Sequence, residues 1–143
     1  MNIDHIAIVV KDLDATLLLY TQRLGFKVVF RETVEDQGVE TVGLEAGESF
    51  VELLRPLDEA SPIARYLGDA ATKLHHTAYR VDDIEAKLAE LKAAGVALID
   101  ERPRRGAHGS LIAFLHPKAT DGVLIELCQR CPSTGSGPST GSG

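Results

Sequence analysis

The sequence lacks long apolar runs and an excess of basic residues, and each absence excludes a class of protein. Although 44% of the 143 residues are hydrophobic, no stretch approaches the roughly 18 consecutive apolar residues of a membrane helix. No basic segment followed by an apolar core opens the chain, so no secretory signal is predicted. The net charge of −6 gives no electrostatic reason for nucleic-acid binding. We expect a soluble, cytoplasmic protein that binds neither nucleic acid nor a membrane.

Cysteine is also scarce. Cys128 and Cys131 are the only two, and they form a single CxxC pair. A structural zinc site needs two more ligands at matching spacing, and a thioredoxin-like pair opens a helix after an early strand, so we expect free thiols. Beyond them the hexapeptide PSTGSG occurs twice, in residues 132–143. This Gly/Ser-rich segment is interpreted as a flexible linker or tag, and residues 1–131 as one domain.

The remaining chain contains one pattern twice. DHIAIVVKDLDA near the start aligns without a gap to HHTAYRVDDIEA further along. In each copy a strand-like segment meets an aspartate suited to cap a helix, Asp12 or Asp83, and apolar residues then recur at helical spacing. The duplication predicts two repeats, which cover about residues 2–70 and 72–131.

Each repeat continues after its helix with strand-like segments separated by turns. The helix patterns end at Gly25 and Gly95, because a left-handed C-cap favours glycine. Short β-rich runs bounded by turn residues follow in each repeat. The predicted strands are residues 26–30, 39–46 and 49–57 in the first repeat and 96–99, 110–117 and 123–129 in the second. Each repeat is therefore βαβββ, and we predict an α+β fold of two tandem modules whose curved mixed sheets form a shared cleft.

Strand parity selects four polar residues for that cleft. Successive side chains of a strand point to opposite faces, so His5 faces away from its apolar neighbours, and His76 is its counterpart in the second repeat. Glu52 and Glu126 take the corresponding position in the last strand of each repeat. By the same parity, His75 is expected to face away from the metal, as a structural or substrate-edge residue.

These four residues form a candidate metal-binding set. A carboxylate inside an apolar strand is costly to bury without compensation, and a divalent cation compensates both glutamates. Two imidazoles and two carboxylates leave coordination positions open for water or substrate. The predicted metal ligands are His5, Glu52, His76 and Glu126, and the open positions indicate Lewis-acid chemistry.

Longer segments carry a family resemblance that covers about residues 2 to 130. SPIARYL, HHTAYRVDDIEA and FLHPKATDGVLIEL, in this order, resemble the methylmalonyl-CoA epimerases of the vicinal-oxygen-chelate (glyoxalase/bleomycin-resistance) superfamily. The family's metal ligands fall on the four residues that parity selects, and some relatives carry Gln at the position of Glu52. The resemblance implies a homodimer and one divalent cation, with Co²⁺ expected and Mn²⁺, Ni²⁺ or Zn²⁺ as alternatives.

The implied reaction is an epimerisation that belongs to propionate metabolism. It interconverts (2R)- and (2S)-methylmalonyl-CoA by removal and return of the α-proton through a metal-stabilised enolate, which requires a base on one face and an acid on the other. Glu126 is the predicted catalytic residue. Some relatives carry a second carboxylate where this chain has Thr41, which departs from the family pattern. Glu40 is expected to face away from Thr41, whereas Glu45 shares its parity.

The predicted substrate-binding residues belong to loops and turns around the cleft. Arg104 lies in a basic, glycine-containing loop over residues 102–109, which suits either contact with phosphates or a solvated hairpin turn. His116 and Lys118 lie in the turn that leads to Glu126, where a structural role is the favoured alternative. The set consists of Gln37, Thr41, Arg104, His116 and Lys118.

Three other functions fit parts of the same pattern. A glyoxalase I-type lyase or isomerase of this superfamily uses the same ligand set for proton transfer on a glutathione hemithioacetal. Extradiol dioxygenases use two histidines and one carboxylate with Fe(II), which fits this chain less well. A metal-free small-molecule-binding protein of the same fold predicts neither bound metal nor proton exchange. The fold alone does not decide among them, because function resides in the site.

Overall fold

The computed structural model describes residues 1–131, and the segment interpreted as a linker or tag lies outside the described residues. The strands are β1 (Asn2–Val10), β2 (Lys27–Val34), β3 (Val39–Ala46), β4 (Ser49–Pro56), β5 (Thr72–Arg80), β6 (Arg104–Arg105), β7 (Leu111–Phe114) and β8 (Ile125–Gln129). The helices are α1 (Leu13–Leu18), α2 (Pro62–Leu67) and α3 (Ile84–Ala93), and α1 continues as a π-helical turn over Leu19–Arg23.

The strands form one mixed sheet in the order β2-β3-β4-β1-β5-β8-β7-β6. Each repeat contributes four neighbouring strands, with β1 parallel to β4 in the first and β5 parallel to β8 in the second. The antiparallel pair β1 and β5 joins the two halves. The predicted α+β fold of two tandem βαβββ modules is confirmed.

The two long helical patterns begin and end as predicted. Asp12 and Asp83 each accept a hydrogen bond at 3.0 Å from the backbone N–H three residues further on. This interaction satisfies a donor that the first helical turn leaves free. Gly25 and Gly95 follow the helices with φ of +82° and +81°, a conformation that costs glycine little. Among residues 1–131, no helix is long and apolar enough to cross a membrane.

The core under α1 and α3 lies against one face of the sheet, whereas α2 packs on the other face, against Ala7, Val9 and Leu54. Apolar residues that alternate along the strands pack under α1 in the first repeat and under α3 in the second. Leu53 and Leu127 occupy equivalent places in these two clusters, one residue after Glu52 and Glu126 respectively. Strand alternation therefore directs both glutamates to the opposite, concave face.

The prediction of a strand over residues 96–99 is wrong. Only Leu98 forms an isolated bridge, with Leu115. The backbone N–H groups of Ile99 and Asp100 both donate to the carbonyl of Phe114, at 2.9 and 3.2 Å, so the alternating hydrogen bonds of a ladder cannot form there. The corresponding strand of the second repeat is the short β6, which pairs with β7.

Candidate metal centre and catalytic cleft

The concave face encloses a cavity of about 960 Å³ that both repeats line. Strand register places the four predicted ligands in two rows across the seam. In one row, Ala7 of β1 lies between Glu52 of β4 and His76 of β5. In the other, the equivalent alanine of β5 lies between His5 and Glu126. All four polar residues line the cavity and are buried.

Three of the four side chains converge on one point. Nε2 of His5 lies 3.1 Å from Nε2 of His76 and 3.3 Å from Oε2 of Glu126. Nε2 of His76 lies 3.1 Å from Oε1 of the same carboxylate. Adjacent ligand atoms around an ion with bonds of about 2.1 Å are roughly 3 Å apart. Among residues 1–131, the buried Oε2 has no hydrogen-bond partner, so the three residues fit a divalent cation in both geometry and chemistry.

Glu52 lies beside this group rather than within it. Its Oε2 is 3.4 Å from Nδ1 of His5, whereas the converging nitrogen of that ring is Nε2. Burial raises the pKa of Glu52 to about 7, against the lowering effect of His5. The residue shares the cavity with the other three, and its role as a fourth metal ligand stays a prediction.

Asp4 is a site residue that parity did not select. Its Oδ2 lies 2.7 Å from Nδ1 of His5, and its Oδ1 accepts hydrogen bonds from Arg130 at 2.7 Å and Arg80 at 3.2 Å. Burial alone would raise the pKa of Asp4, but the hydrogen bonds and charges of His5 and Arg130 hold it well below its usual range. Burial alone would lower the pKa of His5, but Asp4 and the two cleft glutamates raise it to about 9.

His75 lies on the cleft side of the sheet, beside His76. His75 lines the cavity, and its Nδ1 lies 2.7 Å from Nδ1 of His76. Burial and the neighbouring His76 lower the pKa of His75 to about 4. The reason for this placement is a β-bulge, in which one strand carries an extra residue and its side chains are redirected. Ala7 pairs with His76 and the next residue of β1 pairs with Leu74, so His75 is the extra residue.

The predicted substrate-binding residues divide into two groups. Gln37, Thr41 and Arg104 line the cavity. The Arg104 guanidinium lies 5.4 Å from the ring centre of Phe114, and its Nε lies 3.3 Å from Oδ1 of Asp100. The other two, His116 and Lys118, are exposed and lie outside the described lining of the cavity.

The turn that holds these two residues has an internal role. The His116 ring nitrogen accepts a hydrogen bond from the backbone N–H of Lys118 at 3.1 Å and caps a 3₁₀ turn over Pro117–Ala119. This contact supports the structural alternative for His116. A part for either residue in substrate binding stays a prediction.

Of the three residues considered for the second proton transfer, only Thr41 lines the cavity. Its side chain is buried, with 2% of its surface exposed. Glu40 points to the other face, as expected, and accepts hydrogen bonds from Arg31 and Arg55 at 2.6 to 3.0 Å. Glu45 is exposed at the far end of the same strand. Neither Glu40 nor Glu45 therefore takes the place of the carboxylate that is missing at the position of Thr41.

A clasp formed by Phe30, Glu32 and His108 connects the outer edges of the two repeats. The backbone N–H of His108 donates to Oε1 of Glu32 at 2.7 Å, and its ring stacks on Phe30 with centroids 4.8 Å apart. A Cβ atom on Gly43, the cross-strand partner of Phe30, would collide with the Phe30 ring. This glycine therefore leaves room for the stacked pair, which closes one side of the cleft.

Both thiols lie at the end of β8 and both are free in the structure, as expected. Cys128 is 2% exposed, whereas Cys131 is exposed. Burial, reinforced by the nearby charges of Asp4 and Glu126, raises the pKa of the Cys128 thiol well above its usual range. Cys128 is therefore held as an unreactive thiol, with its sulfur close to the side chains of Asp4 and His5.

Comparison with known proteins identifies the family. The sequence pattern of the Glyoxalase/Bleomycin resistance protein/Dioxygenase superfamily matches residues 4–114. The chain belongs to this superfamily. An ethylmalonyl-CoA/methylmalonyl-CoA epimerase of Cereibacter sphaeroides is 40% identical over 130 residues, which are 90% of this chain and 97% of that protein.

Solved structures of the superfamily agree with this placement. Methylmalonyl-CoA epimerase from Mycobacterium tuberculosis has a TM-score of 0.87 at 37% identity, over 95% of this chain and 92% of that one. A methylmalonyl-CoA epimerase in complex with methylmalonyl-CoA and NH₄⁺ has a TM-score of 0.86 at 39% identity, over 92% of this chain and 95% of that one. The predicted resemblance to methylmalonyl-CoA epimerases is confirmed, and with it membership in a family of enzymes.

Proposed function

We propose that this protein is a metal-dependent epimerase that interconverts (2R)- and (2S)-methylmalonyl-CoA. The observation that carries the proposal is the convergence of His5, His76 and Glu126 in the cleft. Relatives of the whole chain are named for this reaction. One relative was solved with methylmalonyl-CoA bound. The proposal includes Co²⁺ as the resident ion, a homodimeric assembly and a place in propionate metabolism.

His5, His76 and Glu126 are the residues that would hold the cation, with Glu52 as a proposed fourth ligand. When bound, a divalent cation supplies Lewis-acid stabilisation for the negative charge that develops on the thioester oxygen. Nitrogen and oxygen donors together suit Co²⁺, Mn²⁺, Ni²⁺ and Zn²⁺, so the donor set agrees with the proposed ion and its alternatives.

Glu126 is the residue proposed to transfer the α-proton. Its carboxylate takes the proton from C2 of the substrate, and the electrons of the broken C–H bond move toward the thioester carbonyl oxygen. A water in the cavity gives a proton to the opposite face of C2, which yields the other epimer, and Glu126 releases its proton to solvent. Thr41 lines the same cavity and is proposed to orient a water or the substrate rather than to act as the base, because a hydroxyl is weakly basic.

The cleft also offers contacts for the rest of the substrate. Arg104 carries a cationic guanidinium at the cavity wall, suited to a carboxylate or phosphate group of the substrate. Gln37 contributes an amide to the wall on the side of the first repeat. The apolar rings of Phe50 and Phe114 line the space between the polar groups. This combination of apolar walls and a few polar groups is typical of small-molecule sites.

Proton exchange in deuterated water tests the proposal. The purified protein is loaded with Co²⁺ and incubated with (2R)- or (2S)-methylmalonyl-CoA, and α-deuterium incorporation is followed by mass spectrometry. We expect incorporation from both epimers, its loss in the presence of a chelator and its recovery when Co²⁺ is restored. Absence of metal-dependent exchange contradicts the proposal. A lactoylglutathione product from glutathione hemithioacetal, without α-exchange of methylmalonyl-CoA, supports the glyoxalase I alternative instead.

A further inference from the structure

The residue before each cleft histidine is the extra residue of a β-bulge. Ile3 pairs with Tyr79 and His5 pairs with Ala78, which leaves Asp4 unpaired on β1. Further along the same pair of strands, Ala7 pairs with His76 and Ile8 pairs with Leu74, which leaves His75 unpaired on β5. The two bulges therefore occupy equivalent positions of the two repeats, one on each strand of the central seam.

Each bulge turns its extra side chain toward the ring that follows it. Oδ2 of Asp4 lies 2.7 Å from Nδ1 of His5, and Nδ1 of His75 lies 2.7 Å from Nδ1 of His76. Without a bulge, neighbouring side chains of a strand point to opposite faces and cannot make such contacts. In both repeats the contact is to Nδ1, and in both the other ring nitrogen, Nε2, faces Glu126.

We propose that Asp4 and His75 are paired positioning residues, which fix the ring orientation and tautomer of His5 and His76 so that both present Nε2 to the metal centre. This inference rests on the metal centre of the proposed function. The carboxylate of Asp4 can only accept, so Nδ1 of His5 keeps its proton and Nε2 is the nitrogen that gives up its proton to bind a cation. For His76 to match it, Nδ1 of His76 donates to His75, which accepts. A partner of this kind holds a metal-ligating imidazole in one orientation.

The surroundings hold both positioning residues in place. Arg80 and Arg130 donate to the second oxygen of Asp4, so the carboxylate cannot turn away from His5. The His75 ring packs edge-on against Tyr66, with centroids 5.0 Å apart. The two partners differ in charge, since one is a carboxylate and the other an imidazole. A charged acceptor makes the stronger hydrogen bond, so His5 is expected to be the more firmly oriented ligand.

The first experiment measures the affinity of the metal-free protein for Co²⁺ alone, by calorimetry and by the visible absorption of the bound ion. Removal of such a partner typically weakens metal binding by about 10- to 100-fold, and we expect a loss in this range for Asp4→Asn. For His75→Leu we expect a loss of roughly tenfold, and His75→Asn should recover most of it because the amide oxygen accepts in place of Nδ1. Asp69→Asn, at an exposed aspartate, is the matched control and should bind like the wild type.

The second experiment reads the tautomer directly in the metal-free protein. Long-range ¹H–¹⁵N correlation of the histidine side chains should show His76 protonated at Nδ1 in the wild type and in His75→Asn, and shifted toward the Nε2-protonated form in His75→Leu. Thermal unfolding shows whether each variant is folded. His75→Leu keeps the inference testable if Asp4→Asn does not fold, because no arginine of the described residues 1–131 donates to His75.

The outcomes separate this inference from the proposed function. Unchanged Co²⁺ affinity in folded His75→Leu and Asp4→Asn, or a wild-type His76 protonated at Nε2, overturns the inference and leaves the proposed function standing. A wild-type protein that binds no Co²⁺ overturns the proposed metal centre and this inference with it. Weakened binding in both variants, with rescue by His75→Asn, supports the inference.

Discussion

Oε1 of Glu126 lies 3.1 Å from Nε2 of His76, and the other carboxylate oxygen lies 3.3 Å from Nε2 of His5. One side chain of the last strand thus contacts a histidine from each half of the sheet. Glu126 is the residue through which the two repeats share a single centre.

Substitution of Glu126 by Gln is expected to abolish most of the proton exchange. Gln keeps the size of the side chain but cannot take a proton, and loss of a general base typically costs about 10²- to 10⁴-fold in rate. The rate of α-deuterium incorporation into methylmalonyl-CoA, at saturating Co²⁺, is the measurement. Glu45→Gln, at an exposed glutamate, is the control and should exchange at the wild-type rate. Equal rates of deuterium incorporation in Glu126→Gln and Glu45→Gln would show that Glu126 does not transfer the proton.

Thr41→Val should slow exchange by roughly tenfold, the equivalent of one lost hydrogen bond of about 1 to 1.5 kcal/mol. Valine has the same shape as threonine and lacks only the hydroxyl, so packing around this buried position is kept. Thr41→Ser retains the hydroxyl and should remain close to the wild type. Rates are compared for the (2R) and (2S) epimers separately. If Thr41→Val exchanges both epimers at the wild-type rate, the hydroxyl has no part in the reaction.

The Glu40→Gln variant should lose stability in a pH-dependent way. Hydrogen bonds from Arg55 and Arg31 lower the pKa of Glu40, so its contribution is complete above the ordinary carboxyl pKa of the unfolded chain. The contribution is lost as the pH falls through the lower pKa of the folded protein.

For an ion pair whose arginines are 41% and 49% exposed, we expect about 0.5 to 1 kcal/mol at pH 7. Urea unfolding at pH 7 and at successively lower pH measures the difference between Glu40→Gln and the wild type. The exposed Glu59→Gln serves as the control with little effect. If the difference in free energy of unfolding between the wild type and Glu40→Gln grows as the pH falls, the lowered pKa of Glu40 is wrong.

Thiol labelling should distinguish the two cysteines. Cys128 is buried with a raised pKa, whereas Cys131 is exposed, and thiolate formation and access together control alkylation. We expect one labelled thiol per native chain and two in denaturant, counted by mass spectrometry. Cys131→Ser should leave no rapidly labelled thiol in the native protein. Rapid native labelling of that variant would show that Cys128 is accessible.

Strand alternation was sufficient to predict the faces of His5, Glu52, His76 and Glu126, because the register is regular between the two bulges of the central seam and along the strands that hold the glutamates. It did not select Asp4 as a site residue, and it did not predict the contact of His75 with His76. A bulge adds one residue to one strand only, and the hydrophobic pattern of a single strand does not show where its register with the partner strand shifts. The available signal was that the duplication aligns Asp4 with His75, a polar residue before the ligand in both copies.

The second half of the sheet was predicted less well than the first. The apolar character of residues 96–99 is typical of a strand, and Val96 and Leu98 do pack into the core under α3. Their backbone lacks a regular partner because β7 is only four residues long. Pairing with a neighbour is a tertiary property, which local propensity does not determine.

Asp4 and Arg130 are separated by 126 positions in the chain. Because Asp4 orients His5 and Arg130 holds Asp4, this separation determines when His5 acquires its orientation during folding. Nearly all of the described residues must be synthesised before Arg130 is available to contact Asp4 on the first strand. The entropy of closing so long a loop is lost before the ion pair between Asp4 and Arg130 can stabilise the fold. Competence to bind a cation is therefore expected to be a late event in folding, one that follows formation of both halves of the sheet.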